Sequence, residues 1–173
     1  MFTLTQIVTI RKISRTPMKN KQRDVITVQS LGESMTPLIK NRSKVVVDFK
    51  SALPYRLGEI VVFLLRKKLV VHRVLKVRQT MRGNEYLLKG DNNPMADGWF
   101  KEKYLLGRVK RVIYPSHQVV FTDKRAAILR YVFVLYSYLT GLRNVREGWL
   151  KIFFRPLYHF IFFLHSKTRP SLH

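Results

Sequence analysis

Short apolar runs separated by turn residues dominate the middle of this chain. Val, Ile, Leu, Phe and Tyr are concentrated in seven segments, and these residue types favour strands. Turn-forming residues such as Pro54, Gly58 and Gly83 stand between the segments. Many short strands at close spacing indicate a mainly-β fold, a small barrel or coiled sheet rather than a parallel α/β domain. The pattern predicts strands over 25–28, 45–49, 59–65, 70–77, 86–88, 105–113 and 119–121.

Long apolar segments replace the short ones in the last third of the chain. Residues 126–142 are mostly apolar, and residues 149–165 carry Lys151, Arg155 and His159 at intervals of four. That interval places one polar stripe along a helix whose other faces are aromatic and aliphatic. A helical hairpin packed on the core would explain this pattern, and so would helices lying in a membrane interface. The many aromatic residues favour the membrane, because Tyr and Trp suit the headgroup boundary.

These patterns divide the chain into three expected regions. Residues 1–23 form a basic arm without the long apolar stretch of a signal peptide or membrane anchor. Residues 24–122 form the β-rich domain, and residues 123–173 form a hydrophobic, helical, membrane-associating region. A spanning helix needs roughly 20 apolar residues, so residues 126–142 are short for one. Whether they cross a membrane or lie in its interface stays open, and with it the side on which the domain lies.

The net charge of the chain limits the classes of partner that it is expected to bind. The 173 residues include 33 Lys and Arg against 10 Asp and Glu, a formal net charge of +23. Such an excess predicts a polyanionic neighbour, either an anionic lipid surface or a nucleic acid. Nucleic acid is disfavoured because 11 of the 21 aromatic residues lie within 131–163 in an apolar setting, whereas single-strand readers interleave basic and aromatic residues on one sheet.

Composition also limits the chemistry. The chain has no cysteine, which excludes disulfides and thiolate nucleophiles. No histidine stands at a metal-ligand spacing from a second histidine and a carboxylate, so neither a metal nor another cofactor is expected.

Residues with the chemistry of acyl transfer follow one another along the chain. Ser34 lies in the run 32–37 (GESMTP), where glycine leaves room for a substrate carbonyl and proline stiffens the turn. His72 lies among small apolar residues on a predicted strand, which would hold an imidazole rigidly as a general base. A serine hydroxyl needs such a base, and the base needs an acid that orients it. An isolated histidine in a strand is more often a core residue with one hydrogen bond.

Two carboxylates are candidates for the orienting acid. Asp91 lies in the run 89–94 (KGDNNP), whose composition is typical of a turn, and Asp97 follows six residues later. Either carboxylate would also serve as a turn brace or a cap. The spacing does not choose between them.

Four runs in this order resemble the conserved boxes of type I signal peptidases. They are GESMTP, GEIVVF from Gly58, HRV from His72 and KGDNN from Lys89, within about residues 27–112. The similarity is greatest to the endoplasmic-reticulum and archaeal branch, which has histidine where the usual bacterial enzymes use a lysine base. The resemblance implies coiled antiparallel sheets as the fold of the catalytic domain. It also implies Ser34 as nucleophile, His72 as general base, Asp97 as the triad acid and Asp91 as a second essential acid.

The resemblance further implies a substrate, which is an extended peptide or preprotein with small side chains before the cut, paired by strand addition. The Ser34 N–H would hold the oxyanion, with Gly32 and Met35 as neighbouring candidates for oxyanion or substrate contacts. The chain departs from the family pattern because it shows no N-terminal anchor, has Glu59 where Asp is usual, and has Ala96 beside Asp97 where two adjacent acids are common. We therefore expect residues 123–173 to replace the anchor, and a specialised enzyme with one or a few small precursors.

Two other functions fit parts of the sequence. One is a self-cleaving or regulatory peptidase of the serine-lysine repressor branch, which resembles this family in the serine box. The histidine at the base position, and the room for only about 24 residues before the domain, argue against it. The other is a non-catalytic basic protein that binds membranes or nucleic acid and keeps the boxes as a scaffold. The natural substrate and the oligomeric state are not indicated.

Overall fold

A computed structural model describes most of the β-rich domain and one helix. The described residues are 25–49, 53–65, 68–115, 117–121, 124–139, 141 and 166–168. The predicted basic arm over 1–23 and the predicted helix over 149–165 lie outside them.

The described strands form one antiparallel sheet, which confirms the prediction of a mainly-β fold. The strands are β1 (Val25–Gln29), β2 (Lys44–Asp48), β3 (Ile60–Leu65), β4 (Lys68–Thr80), β5 (Gly83–Lys89), β6 (Gly98–Lys101), β7 (Leu105–Ile113), β8 (His117–Val120) and β9 (Ser166–Thr168). Their order across the sheet is β1-β2-β7-β3-β4-β5-β6, and β8 pairs with β7 and β9. A 3-10 helix, Glu102–Tyr104, joins β6 to β7.

The sheet curls into a half-barrel around β7. One side of β7 pairs with β2, while its other side pairs with β3 near its start and with β8 near its end. The pairing register shifts between β2 and β7, between β3 and β7, and again between β4 and β5. Such bulges increase the local twist of a sheet and bend it.

β3 is buried on both faces, which accounts for its uninterrupted apolar sequence. Ile60 and Val62 pack into the core that also contains residues of β2, β7 and β8. Val61 and Phe63 point the opposite way, into a second core with Tyr86 and other residues of β4, β5 and β7. The central strand therefore joins two cores and holds the next strand, β4, between them.

The predicted strands are all present, with ends that differ by three residues or fewer. Two observed strands, β6 and β9, were not predicted. They are four and three residues long, so each is defined by its hydrogen-bonded neighbour more than by its own residue pattern. β9 lies within the region 123–173, directly after the predicted helix over 149–165.

The helix α1 (Lys124–Leu139) packs on β4. Its Phe133, Val134 and Ser137 are buried, and Arg130 passes so close to Gly58 that a Cβ at Gly58 would lie 2.6 Å from the Arg130 Cβ. The helix corresponds to the prediction over 126–142 with both ends two or three residues earlier. At 1.5 Å per residue it is about 24 Å long. Among the described residues no helix is both long and apolar enough to cross a bilayer.

Gly107 tests how tightly β7 packs against the end of β2 and the residue that follows it. A Cβ at this position would lie 2.7 Å from the Asp48 carbonyl oxygen and 3.1 Å from the Phe49 Cα. Both neighbours are backbone atoms, which cannot rotate away. We expect Gly107→Ala to lower the free energy of unfolding by about 1–3 kcal/mol in urea denaturation, while Arg111→Ala, an exposed change on the same strand, stays within about 0.5 kcal/mol. An unchanged Gly107→Ala midpoint would show that β7 can move away without cost.

Candidate active site

Ser34 lies in the turn between β1 and β2, held on one side by the core. Gly32 has a φ of +104°, which glycine adopts without the strain that a Cβ causes. The Gly32 N–H donates to Asn41 Oδ1 at 3.2 Å. Met35 and Ile39 are buried in the core beneath the turn, and the Ile39 N–H donates to the Met35 carbonyl at 2.9 Å. The turn is thereby anchored, and Ser34 lies at the wall of an open groove.

β4 carries His72 to this serine. The imidazole Nε2 lies 3.0 Å from Ser34 Oγ, and Nδ1 lies 2.5 Å from Asp97 Oδ2. The ring is nearly completely buried, with Phe63 beside it at 5.8 Å between ring centroids. A carboxylate at Nδ1 favours the tautomer with its proton on that nitrogen, which leaves Nε2 free to accept the serine proton. The three groups therefore lie in the order that serine activation requires.

The loop between β5 and β6 carries both candidate acids, and their carboxylates contact different partners. The Asp97 N–H donates to the Leu88 carbonyl at 2.8 Å, which keeps its carboxylate beside His72. Asp91 is fully buried and accepts two hydrogen bonds from Arg73, at 2.7 Å from Nε and 2.6 Å from Nη2. The choice that spacing left open is thus made by geometry: the carboxylate that contacts the imidazole is that of Asp97.

Arg73 is a residue of this region to which the sequence assigned no role. It follows His72 on β4 and is 1% exposed. Besides Asp91, it donates from Nη1 to the Gly58 carbonyl at 2.8 Å, and its guanidinium lies 4.9 Å from the Phe133 ring centroid. Removing one partner of such a buried pair typically costs about 3–5 kcal/mol. The feature of the sequence that could have pointed to a buried ion pair is an arginine inside a largely apolar strand.

The same loop also contacts the turn that carries Ser34. The Asn92 N–H donates to the Ser34 carbonyl at 2.8 Å, and its side-chain amide donates to the Glu33 carbonyl at 3.3 Å. A Cβ at Gly90 would lie 2.7 Å from the Ser34 carbonyl oxygen and 2.9 Å from His72 Nε2. Only glycine fits this approach, so Gly90 and Asn92 fix the distance between the serine and the histidine. The sequence showed this run as a turn but not what the turn contacts.

Lys89 is a buried lysine immediately behind this loop. Its Nζ donates to the Gly90 carbonyl at 3.1 Å and to Ser137 Oγ of α1 at 3.2 Å. Burial lowers the pKa of Lys89 to about 8, an effect that the negative charges of Asp91 and Asp97 oppose. The structure therefore places an easily deprotonated amine between the candidate site and the helix.

A groove of about 490 Å³ runs past Ser34 and His72. One wall is the segment that follows β1, with Leu31 and Met35, and the other is the hairpin of β3 and β4. β5 pairs with β4 only from Arg73 onward, so among the described strands none covers the edge of β4 over residues 69–71. The N–H and carbonyl of Val74 form hydrogen bonds with Glu59 and Gly58, on the other side of β4. Because successive residues of a strand direct these groups to opposite sides, the N–H and carbonyl groups of residues 69 and 71 point to the uncovered edge.

No cluster of three or more His, Asp or Glu side chains that could hold a metal is present in the part of the chain that the structure describes. The polar residues that line the groove include Ser34, His72 and Asp97, together with Ser30, Lys68 and Asn93.

Comparison with known proteins places the chain among peptidases. Residues 4–110 match the family model described as Peptidase S24-like. The human protein named "Putative signal peptidase complex catalytic subunit SEC11B" is 33% identical over 111 residues, covering 51% of this chain and 67% of the relative. The signal peptidase complex catalytic subunits SEC11C of Canis lupus familiaris and Mus musculus are each 40% identical over 68 residues, covering 33% of this chain. The chain spans about two thirds of the length of the first relative and about a third (35%) of the other two.

Lys89 gives a testable dependence of stability on pH. Its pKa falls from the ordinary value of 10.5 to about 8 on folding, so between these values the unfolded chain binds more protons than the folded chain. The free energy of unfolding therefore gains a contribution from Lys89 as the pH rises through this window. We expect the urea midpoint of the wild type, relative to that of Lys89→Met, to rise between pH 7.5 and 9.5. Parallel midpoints of the two proteins at both pH values would contradict a buried, proton-releasing Lys89.

Proposed function

Because the chain belongs to the Peptidase S24-like family and is type I signal peptidase-like, of the endoplasmic-reticulum branch, we propose that it is a serine endopeptidase that cleaves a leader or signal peptide after small residues. The observation that carries the proposal is the position of His72, with Nε2 3.0 Å from Ser34 Oγ and Nδ1 2.5 Å from Asp97 Oδ2. A hydroxyl, an imidazole and a carboxylate in this order form the arrangement that activates a serine for acyl transfer.

In the proposed reaction Ser34 Oγ attacks the carbonyl carbon of the scissile peptide bond while its proton passes to His72 Nε2. Asp97 stabilises the imidazolium that forms. The imidazolium then gives the proton to the departing amine, the C–N bond breaks and an acyl-serine remains. A water molecule attacks this ester with His72 again as base, which releases the new carboxyl terminus and restores Ser34.

The oxyanion of each tetrahedral intermediate carries a negative charge that needs hydrogen-bond donors. We assign this role to the Ser34 N–H, because the anchored turn holds that backbone close to the reacting carbon. Gly32 supports the turn through its left-handed conformation, since its own N–H is already donated to Asn41. Met35 lies under the turn, lines the groove and contributes to the substrate contacts.

The proposed substrate is an extended peptide or preprotein segment that adds as a strand to the edge of β4. Main-chain hydrogen bonds to residues 69 and 71 would hold its backbone, as in other cases of strand addition. The groove is lined by apolar side chains that include Leu31 and Leu69, so it suits apolar residues of the substrate. The turn of Ser34 approaches from the other wall, which favours small side chains just before the cut.

Asp91 and Arg73 contact neither reacting group in this proposal, and they act as positioning residues. Their ion pair ties the strand of His72 to the loop that holds the Ser34 carbonyl. The region 123–173 would associate with the membrane and keep the site near its precursor. We propose that α1, whose described length is 16 residues, lies along the membrane surface.

A lysine base is the alternative that a specific observation favours. Lys89 is buried near the site, and its pKa is lowered to about 8, as a serine-lysine peptidase would require. However, its Nζ is directed to the Gly90 carbonyl and Ser137 Oγ, whereas His72 Nε2 is within hydrogen-bond distance of the serine hydroxyl. We therefore assign the base to His72.

The direct test is cleavage of a quenched peptide library by the full chain in detergent or liposomes. We expect Ser34→Ala and His72→Ala to lower kcat/KM by at least about 10³-fold, because each removes a group that takes part in the chemical step. Ser30→Ala is the matched control, since Ser30 lines the same groove without contacting His72 in the proposed mechanism. Product sequencing should find small residues on the amino side of the cut.

Cleavage that persists in both Ser34→Ala and His72→Ala would refute the serine mechanism. Absence of cleavage by the folded wild type under every lipid condition would favour the non-catalytic membrane-binding alternative.

Gly90 tests whether the loop sets the geometry of the nucleophile. Because an added Cβ would meet the Ser34 carbonyl and His72 Nε2, we expect Gly90→Ala to reduce kcat by at least about tenfold with a much smaller change in KM. The control is Ala96→Ser, an exposed change in the same loop. Equal kcat values for Gly90→Ala and wild type, in folded proteins, would show that the loop does not fix the serine.

A further inference from the structure

One face of the ribbon formed by β4, β5 and β6 is exposed and carries cations around a tryptophan. Pairing places Arg78, Glu85 and Lys101 in one cross-strand row, and Lys76, Leu87 and Trp99 in the next. Residues that pair directly share a face of the sheet, so these two rows lie side by side. The Arg78 guanidinium lies 4.1 Å from the centroid of the Trp99 ring.

The helix α1 extends this face with an apolar stripe. Tyr131, Leu135 and Tyr138 follow one another at intervals of four and three residues, which places them on one side of the helix. They are 64%, 54% and 38% exposed, while Phe133 and Ser137 face the sheet and are buried. Lys76 Nζ lies 6.0 Å from the Tyr138 ring centroid, so the helix stripe and the ribbon are continuous. We call the whole surface the aromatic-cationic face, formed by Lys76, Arg78, Trp99, Lys101, Tyr131, Leu135 and Tyr138.

We propose that the aromatic-cationic face docks on an anionic phospholipid surface. Arg78 pairs with Glu85, the one acid in these rows, at 2.6 Å, which leaves Lys76 and Lys101 in excess, and the chain as a whole carries a net charge of +23. Cations held near an anionic bilayer are attracted to its headgroups, and the attraction weakens as salt is added. Tryptophan and tyrosine add to this attraction because their rings fit the boundary between headgroups and acyl chains.

The composition of the face fits lipid better than nucleic acid. Bases bind by stacking on open aromatic rings, but the Arg78 guanidinium already stacks on Trp99. Leu135 offers no stacking surface and is more than half exposed, whereas an aliphatic side chain gains by entering the acyl boundary. A helix of about 24 Å that lies along the interface presents its whole apolar stripe at once.

Docking in this orientation would place the membrane close to the candidate site. The buried side of α1 bonds Lys89 through Ser137 and covers Arg73 with Phe133. The lipid surface would then lie one helix diameter, about 10 Å, from this buried cluster. The proposal does not depend on peptidase activity, because lipid binding is measured by itself.

The test compares binding of the full chain to vesicles of phosphatidylcholine alone and of phosphatidylcholine with phosphatidylserine, across a salt series. The face variant is Lys76→Glu with Lys101→Glu. The matched control is Lys44→Glu with Arg111→Glu, which changes the net charge equally at exposed positions on β2 and β7. We expect the face variant to bind phosphatidylserine vesicles at least about tenfold more weakly than the control variant. Both variants must first show the circular dichroism of the wild type.

A second readout follows the fluorescence of Trp99 in a Trp149→Phe background, which leaves one tryptophan. Its emission should shift to the blue on phosphatidylserine vesicles and not on phosphatidylcholine alone. Equal weakening of both charge variants would overturn the proposal, since the attraction would then be distributed over the whole chain. An unchanged Trp99 emission would overturn it too, because the face would then be covered by another segment or a second copy. The proposal would also be contradicted if the face variant, but not the control variant, lost binding to single-stranded RNA while it still bound vesicles.

Discussion

The buried ion pair between Arg73 and Asp91 is the interaction on which the arrangement of the site depends. It joins the middle of β4 to the loop after β5, which also contacts β4 through the hydrogen bond between His72 and Asp97. His72 precedes the arginine, and Asn92, which holds the Ser34 carbonyl, follows the aspartate. Because both ions are removed from water, each stabilises the structure only while the other is present. The ion pair therefore supports the placement of Ser34 and His72 although it includes neither of them.

The helix α1 packs against this ion pair and against Lys89. It covers the guanidinium with Phe133 and receives the Lys89 ammonium at Ser137. Three charged groups, Arg73, Asp91 and Lys89, are thus enclosed between the sheet and one helix, with more positive than negative charge. Desolvation of the buried ammonium lowers the pKa of Lys89 to about 8, against the opposing charges of Asp91 and Asp97. The helix α1 is thereby connected to the loop that contacts Ser34, through Phe133 on Arg73 and Ser137 on Lys89.

The sequence predicts the parts of this protein that depend on local pattern. The apolar run of β3 and the glycine, serine and proline of the turn after β1 are recognisable without a structure, and four runs in order suffice to identify the family. The partner of His72 was not predictable from spacing, because Asp91 and Asp97 occupy the same loop and only the curl of the sheet directs one to the imidazole and the other to Arg73. Short edge strands such as β6 are likewise set by their neighbours.

The close approach of Gly90 to Ser34 and His72 could not be derived from the run KGDNNP, whose composition indicates a turn but not its contacts.

The clearest measurement of the central claim, that His72 is the base for Ser34, is the pH dependence of peptide cleavage in the wild type and in Lys89→Met. A histidine base is inactive when protonated, so both proteins should lose activity as the solution is made more acidic, along the same curve. A rate that instead rises through pH 8, where Lys89 loses its proton, with that rise missing in Lys89→Met, would contradict the assignment and make the lysine the base.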